Sequence, residues 1–176
     1  MRTDKIEDLI YQFKNAKRDQ ERIGKSAKTG IIGQLEELMG DDRVILFFLD
    51  LLSDTQEFDL ARIEVLRILE CYEIKDETVR KSAADAVFKI LRNDPDNDVR
   101  AWATGTASNY LSYDFVSNEL ERIIRNQSED EIIRGDSFMV LRRAGFTSSR
   151  ELLMRELLND ETFSKGAKQV LMEWNV

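Results

Sequence analysis

Asp94-Pro95-Asp96-Asn97-Asp98-Val99-Arg100-Ala101 decides the fold. An acidic turn with the chain's single proline runs straight into an apolar-Arg pair, and Asp and Asn are the residues that satisfy free N–H groups at a helix start. The pattern returns at Asp59-Leu60-Ala61-Arg62 and at Asp130-Glu131-Ile132-Ile133-Arg134. Superposing the segments on Arg62, Arg100, Arg134 and Lys165 gives steps of 38, 34 and 31 residues. A unit of that length holds two helices, cannot bury its apolar faces alone, and must stack on its neighbours.

Working outward, apolar residues fall at helical spacing and no long alternating strand pattern occurs. Ile6, Leu9, Ile10 and Phe13 give one face of a first helix, 3–22. Gly30 and Gly33 predict a break before Ile31-Ile32, with a second helix running to Leu38-Met39 and capped by Gly40. Pairs follow: 42–53 with 57–72, 76–92 with 96–111, 114–125 with 130–144, and 147–158 with 161–174. Their short connections, rich in Asp, Asn and Ser, make neighbours antiparallel and supply N-caps. The expected fold is all-α, a single domain over 1–176 of about nine or ten helices. Four hairpins fill 41–176, and 1–40 forms a degenerate hairpin or cap.

Composition agrees. The 176 residues are 42% hydrophobic, enough for a continuous core, and 34% charged, as many half-exposed helices require. The longest apolar run, Val44 to Leu49, is far short of the roughly 20 residues that span a bilayer. Residues 1–19 lack an apolar signal-peptide core. Cys71, the lone cysteine, has no intrachain disulfide partner. A cytoplasmic protein is the expectation. Net charge is −8, and residues 1–30 hold eight Lys/Arg against five Asp/Glu, so the remainder carries 18 against 29. Such a body repels phosphate backbones and favours cationic partners.

In these residues the chain resembles the HEAT-repeat family, in which an Asp-x-x-apolar-Arg segment opens the second helix of each hairpin and an apolar-acidic turn ends the first. Leu51-Leu52-Ser53-Asp54, Leu91-Arg92-Asn93-Asp94 and Leu157-Leu158-Asn159-Asp160 supply such turns. The resemblance covers 41–176. It implies an α-solenoid of stacked antiparallel hairpins, with a concave face that binds partners. It also implies that Arg62, Arg100 and Arg134 pair with acidic turns of adjacent hairpins, with Asp59, Asp98 and Glu131 as the candidates. Lys165 replaces Arg in the last hairpin, as suits a terminal cap.

The catalytic inventory is thin. There is no histidine, so His-based bases, triads and zinc sites are excluded, and one cysteine cannot build a thiolate cage. Gly24-Lys25-Ser26 would need its first loop glycine at Asp19, so it is no phosphate loop. Asp94-Pro95-Asp96-Asn97-Asp98 lacks the glycine and distal glutamate of a calcium loop and is read as a capping turn. Cys71 is expected as a small buried hydrophobe, and Phe47-Phe48 and Phe138-Met139 as core. No cofactor and no metal is expected.

Positions two, five and eight residues after each aligned arginine define the face that a solenoid turns to its partners. They are Glu64, Arg67 and Glu70, then Trp102, Gly105 and Ser108, then Asp136, Met139 and Arg142. Trp102 is either an exposed anchor or packing between hairpins. The expected binding set is Glu64, Arg67, Glu70, Trp102, Asp136, Met139 and Arg142. The expected function is a non-catalytic interaction module taking a protein partner with a basic surface, with neither nucleic acid nor membrane involved. An immunity-type inhibitor of a basic toxin is its sharper form. The alternatives are a HEAT-like enzyme, of the DNA-alkylation-repeat glycosylase or bilin-lyase kind, and a scaffold subunit docking through residues 1–30.

Overall fold

The computed structural model describes residues 4–16 and 27–176. Residues 17–22 of the expected first helix, and Gly24-Lys25-Ser26, lie outside the described residues. The fold is all-α, with no strand among the described residues. The helices are α1 (Lys5–Asn15), α2 (Ala27–Glu36), α3 (Asp42–Ser53), α4 (Asp59–Cys71) and α5 (Glu77–Asn93). Then come α6 (Asn97–Thr106), extended by a 3-10 turn at Ala107–Tyr110, α7 (Asp114–Arg125) and α8 (Glu131–Arg143). The chain closes with α9 (Ser148–Glu156), a 3-10 turn at Leu157–Asn159, and α10 (Ser164–Trp174).

Local chemistry sets most of these boundaries. Asp4, Asp41, Asp76, Asp96 and Asp130 each accept a backbone N–H in the first turn of α1, α3, α5, α6 and α8, and Thr147 does so for α9. The Asp94–Asp98 segment is therefore a capping turn, with Asp96 bonded to Val99 N at 3.0 Å. Two expectations about glycines fail. Helix α2 runs unbroken through Gly30 and Gly33, since an interior glycine costs a helix only about 0.5–1 kcal/mol and burial of Ile31, Ile32 and Leu35 offsets it. It also ends at Glu36, before the turn at 37–40, so Gly40 does not cap it. Among the described residues the left-handed glycine is Gly145, at φ +82°, which stops α8.

Packing follows two rules. Successive helices touch in pairs (α1 with α2, α3 with α4, α5 with α6, α7 with α8, α9 with α10), and alternate helices touch along the chain, α1 to α3 to α5 to α7 and α2 to α4 to α6 to α8. One apolar cluster runs through all of them, from Ile6 to Leu171. Phe47, Phe48 and Phe138 belong to it as expected, while Met139 is 37% exposed. Leu152 of α9 points to solvent, beside buried Leu153 and Met154.

Buried positions keep a common register. Lys28, Ile31, Ile32 and Leu35 of α2 correspond to Arg62, Val65, Leu66 and Leu69 of α4. Ala103, Thr104 and Ala107 follow in and after α6, then Arg134, Ser137, Phe138 and Leu141 of α8. At the last helix, Phe163, Ala167, Val170 and Leu171 match Ile133, Ser137, Val140 and Leu141. Ser164, not Lys165, therefore stands opposite Arg134, and Lys165 is exposed. Lys28 is the cation at the other end, outside the arginine series of the sequence reading.

These cations join one helix pair to the next. Lys28 Nζ meets Glu57 Oε2 at 2.6 Å. Arg62 pairs with Asp94 and donates to Leu52 O at 3.2 Å. Arg100 grips Glu129 with two bonds of 2.8 and 2.6 Å and donates to Leu91 O. Arg134 meets Asp160 at 2.8 Å and donates to Ile124 O. Each arginine thus satisfies a carbonyl left over at the end of its own pair's first helix, and its planar fork reaches a carboxylate in the following connection. Asp59, Asp98 and Glu131 are not the partners. They lie on the arginine's own first turn, whereas the guanidinium extends across to the next pair.

Candidate functional site

The interface of α4, α6 and α8 carries a surface depression of about 340 Å³ lined by Glu70, Trp102, Gly105, Asp136, Met139 and Arg143, with Ala101 and Val140 beneath. It continues into a second of about 260 Å³ that shares Glu70, Gly105, Val140 and Arg143 and adds Ser108. Four of the seven expected residues, Glu70, Trp102, Asp136 and Met139, therefore meet in one groove. Trp102 is 42% exposed, so its ring is not packed away between helices.

The other three are held elsewhere. Arg67 donates to both carboxylate oxygens of Glu64, at 3.1 and 2.8 Å, and reaches Glu36 of α2 at 3.4 Å. The bond to Glu64 holds the Arg67 guanidinium above its ordinary pKa. Arg142 is tied to Glu173 of α10 at 2.6 Å. In contrast, the side chains of Glu70, Asp136 and Arg143 have no hydrogen-bond or ion-pair partner among the described residues. Arg143 was missed in the sequence because Arg142 and Arg143 are adjacent. Only the helix's exact rotation decides which of the two faces the groove.

Gly105 shapes the floor. A β-carbon there would lie 3.1 Å from Glu70 Oε2, so the carboxylate sits directly over the glycine. The groove is thus an aromatic ring, a thioether, two free carboxylates and one free guanidinium on rigid helices. It holds no thiol or imidazole, and no group of three metal-binding side chains occurs among the described residues.

The arginine series does not form a surface ladder. Arg62 and Arg134 are buried and Arg100's side chain is 11% exposed. Arg100 holds the Glu129 carboxyl below its usual range. At Asp160 burial pushes the pKa up, but the backbone N–H of Phe163 and then Arg134 outweigh it, and the net direction is down.

Cys71 corrects another expectation. It is the last residue of α4 and exposed, on the rim of a separate depression of about 420 Å³ beside Arg80 and Asn109. Tyr110 lines that depression with its hydroxyl buried and unpaired, and burial pushes its pKa up to about 12. A fourth depression, about 430 Å³, lies between α3 and α5 around Leu49, Ser82 and Lys89. No helix among the described residues is long and apolar enough to cross a membrane. The chain matches no protein-family model and no curated protein sequence.

Proposed function

We infer that the chain is a HEAT-like α-solenoid acting as a non-catalytic interaction module, and that it binds a protein partner in the groove of α4, α6 and α8. The observation that carries this is Trp102, 42% exposed in a depression with Met139, where a rigid helix holds a large ring open to solvent. Aromatic side chains so placed supply much of the energy of protein recognition, because they bury large area at little entropic cost. The cross-pair ion pairs Lys28–Glu57, Arg62–Asp94, Arg100–Glu129 and Arg134–Asp160 support the solenoid reading.

Charge selects the partner class. Glu70 and Asp136 flank Trp102 without internal cations, which disfavours a phosphate backbone and favours a basic protein surface. An immunity-type role against a basic toxin is one form of this function, and a cytoplasmic setting accompanies it. The test is site-specific photo-cross-linking in the source organism, with a benzophenone amino acid at Met139 or, as control, at Leu46. Leu46 is on α3 and 53% exposed. A defined protein cross-linked from Met139 alone is the expected result. Cross-links only from Leu46 would move binding off the groove.

A further inference from the structure

The stack holds a worked example of what its groove lacks. In the common register, Glu36 of α2 and Glu70 of α4 occupy one position, eight residues after Lys28 and Arg62. Arg67 of α4 and Gly105 of α6 occupy another, five residues after Arg62 and Arg100. At the α2–α4 seam, Arg67 supplies a guanidinium that spans to Glu36 and is held on its own helix by Glu64. At the α4–α6 seam the equivalent cation is absent, because the position is Gly105, and the Glu70 carboxylate lies over the bare backbone. The position of Glu64 is taken there by Trp102, and on α8 by Asp136.

We propose that the groove is an arginine-recognition site, in which a guanidinium from a basic segment of the partner takes the place that Arg67 fills one helix earlier. The inference rests on the reading of the groove as a protein-binding surface. The incoming cation meets Glu70 as Arg67 meets Glu36, with Asp136 as the second carboxylate and the Trp102 ring in the place of Glu64. Guanidinium is the group that combines a fork for carboxylates with a flat face for an aromatic ring, which lysine does not offer. The depression of about 340 Å³ accommodates such a head with part of its stem. Arg143, unpaired on the same rim, excludes a second cation and presents donors to the carbonyls or carboxylates flanking the bound arginine.

The test is an NMR titration of the whole chain with acetyl-Ala-Arg-Ala-amide, against the same peptide carrying neutral citrulline. Saturable shifts of the Trp102 indole N–H and the Gly105 amide, with arginine only, are expected. Glu70→Gln should weaken binding about tenfold or more, as loss of a charged hydrogen bond does. Gly105→Arg should abolish it by filling the site from within, and Glu36→Gln should leave it unchanged. Absence of saturable shifts, equal shifts with citrulline, or indifference to Glu70→Gln would overturn the proposal. A protein cross-linked from Met139 but insensitive to Glu70→Gln and to the arginine peptide would refute this site while leaving the binding module standing. Arginine-dependent shifts without any groove cross-link would do the reverse.

Discussion

Arg62 and Asp94 form an ion pair sealed from water, each side chain 2% exposed, which ties α4 to the α5–α6 connection. Asp94 carries further duties. One of its oxygens also accepts from Asp96 N at 3.1 Å, so the capping turn and the cross-pair bond share a carboxylate. Removing either partner leaves a buried charge uncompensated. Arg62→Ala is expected to cost about 3–5 kcal/mol by urea unfolding, and Asp94→Ala a comparable amount. The Arg62→Met, Asp94→Leu double substitution should lose much less than the sum, since a well-packed apolar pair dispenses with desolvation.

Arg100 should matter to stability more than to recognition. It holds Glu129 with two bonds and satisfies Leu91 O, so Arg100→Ala is expected to destabilise by about 1–3 kcal/mol with partner affinity little changed. The pH dependence has a definite sign. Glu129's folded pKa is depressed, so its contribution is present above the unfolded value near 4.5 and disappears as pH falls through the folded value. The stability gap between wild type and Arg100→Ala in unfolding titrations should therefore narrow as pH falls through Glu129's depressed folded pKa, leaving the share that the bond to Leu91 O supplies.

Tyr110 offers the opposite case. Its hydroxyl is buried without a partner, and burial drives the pKa up to about 12. The folded form thus resists ionisation that the unfolded chain undergoes near pH 10. The associated stability is full below pH 10 and is lost as pH rises towards 12. Tyr110→Phe, which deletes only the unsatisfied oxygen, should be neutral or stabilising by up to about 1 kcal/mol, and should remove one tyrosine from the delayed part of an ultraviolet titration, in which Tyr113, also raised by its bond to Glu77, remains.

Trp102→Ala should cost about 2 kcal/mol or more of partner affinity and little stability, because 42% of the residue is exposed. Asp136→Lys should slow association, change its salt dependence and, by replacing the second carboxylate of the proposed arginine site with a cation, also weaken the complex once formed. Glu64→Lys is different, since Glu64 already holds Arg67 at 2.8 Å, and its reversal should disturb that internal pair first. Surface plasmon resonance at two ionic strengths separates the two.

Much of this was legible in the sequence, and the parts that were not share a cause. Helical spacing placed Arg62, Arg100 and Arg134, and counting two and eight residues onward reached Trp102 and Glu70, because a helix converts spacing into direction. Partnership between helix pairs is not encoded in spacing. The carboxylates that meet the arginines lie 26 to 32 residues downstream, and which acidic residue of a connection turns inward depends on that connection's conformation. Cys71 escaped for a different reason: two residues past buried Leu69 and next to exposed Glu70, it ends α4 on the helix's solvent side. Lys28 was hidden because its segment lacks the acidic motif, although Ile31, Ile32 and Leu35 repeat the spacing of Val65, Leu66 and Leu69.

Gly105 is where the fold and the proposed binding conflict most directly. A glycine within a helix costs about 0.5–1 kcal/mol against alanine, and nothing in the backbone of α6 demands one, since its φ is not positive. The added methyl of Gly105→Ala would meet only the end of the Glu70 side chain, at 3.1 Å, and that carboxylate has no internal bond to keep it there. Glu70 can therefore swing aside, and Gly105→Ala is expected to raise stability by about 0.5–1 kcal/mol in thermal or urea unfolding. The same methyl narrows the floor of the groove and displaces one of its two free carboxylates. Partner affinity should fall as stability rises. If both rise together, the bare backbone at Gly105 has no part in recognition, and binding must centre on Trp102 and Met139 alone.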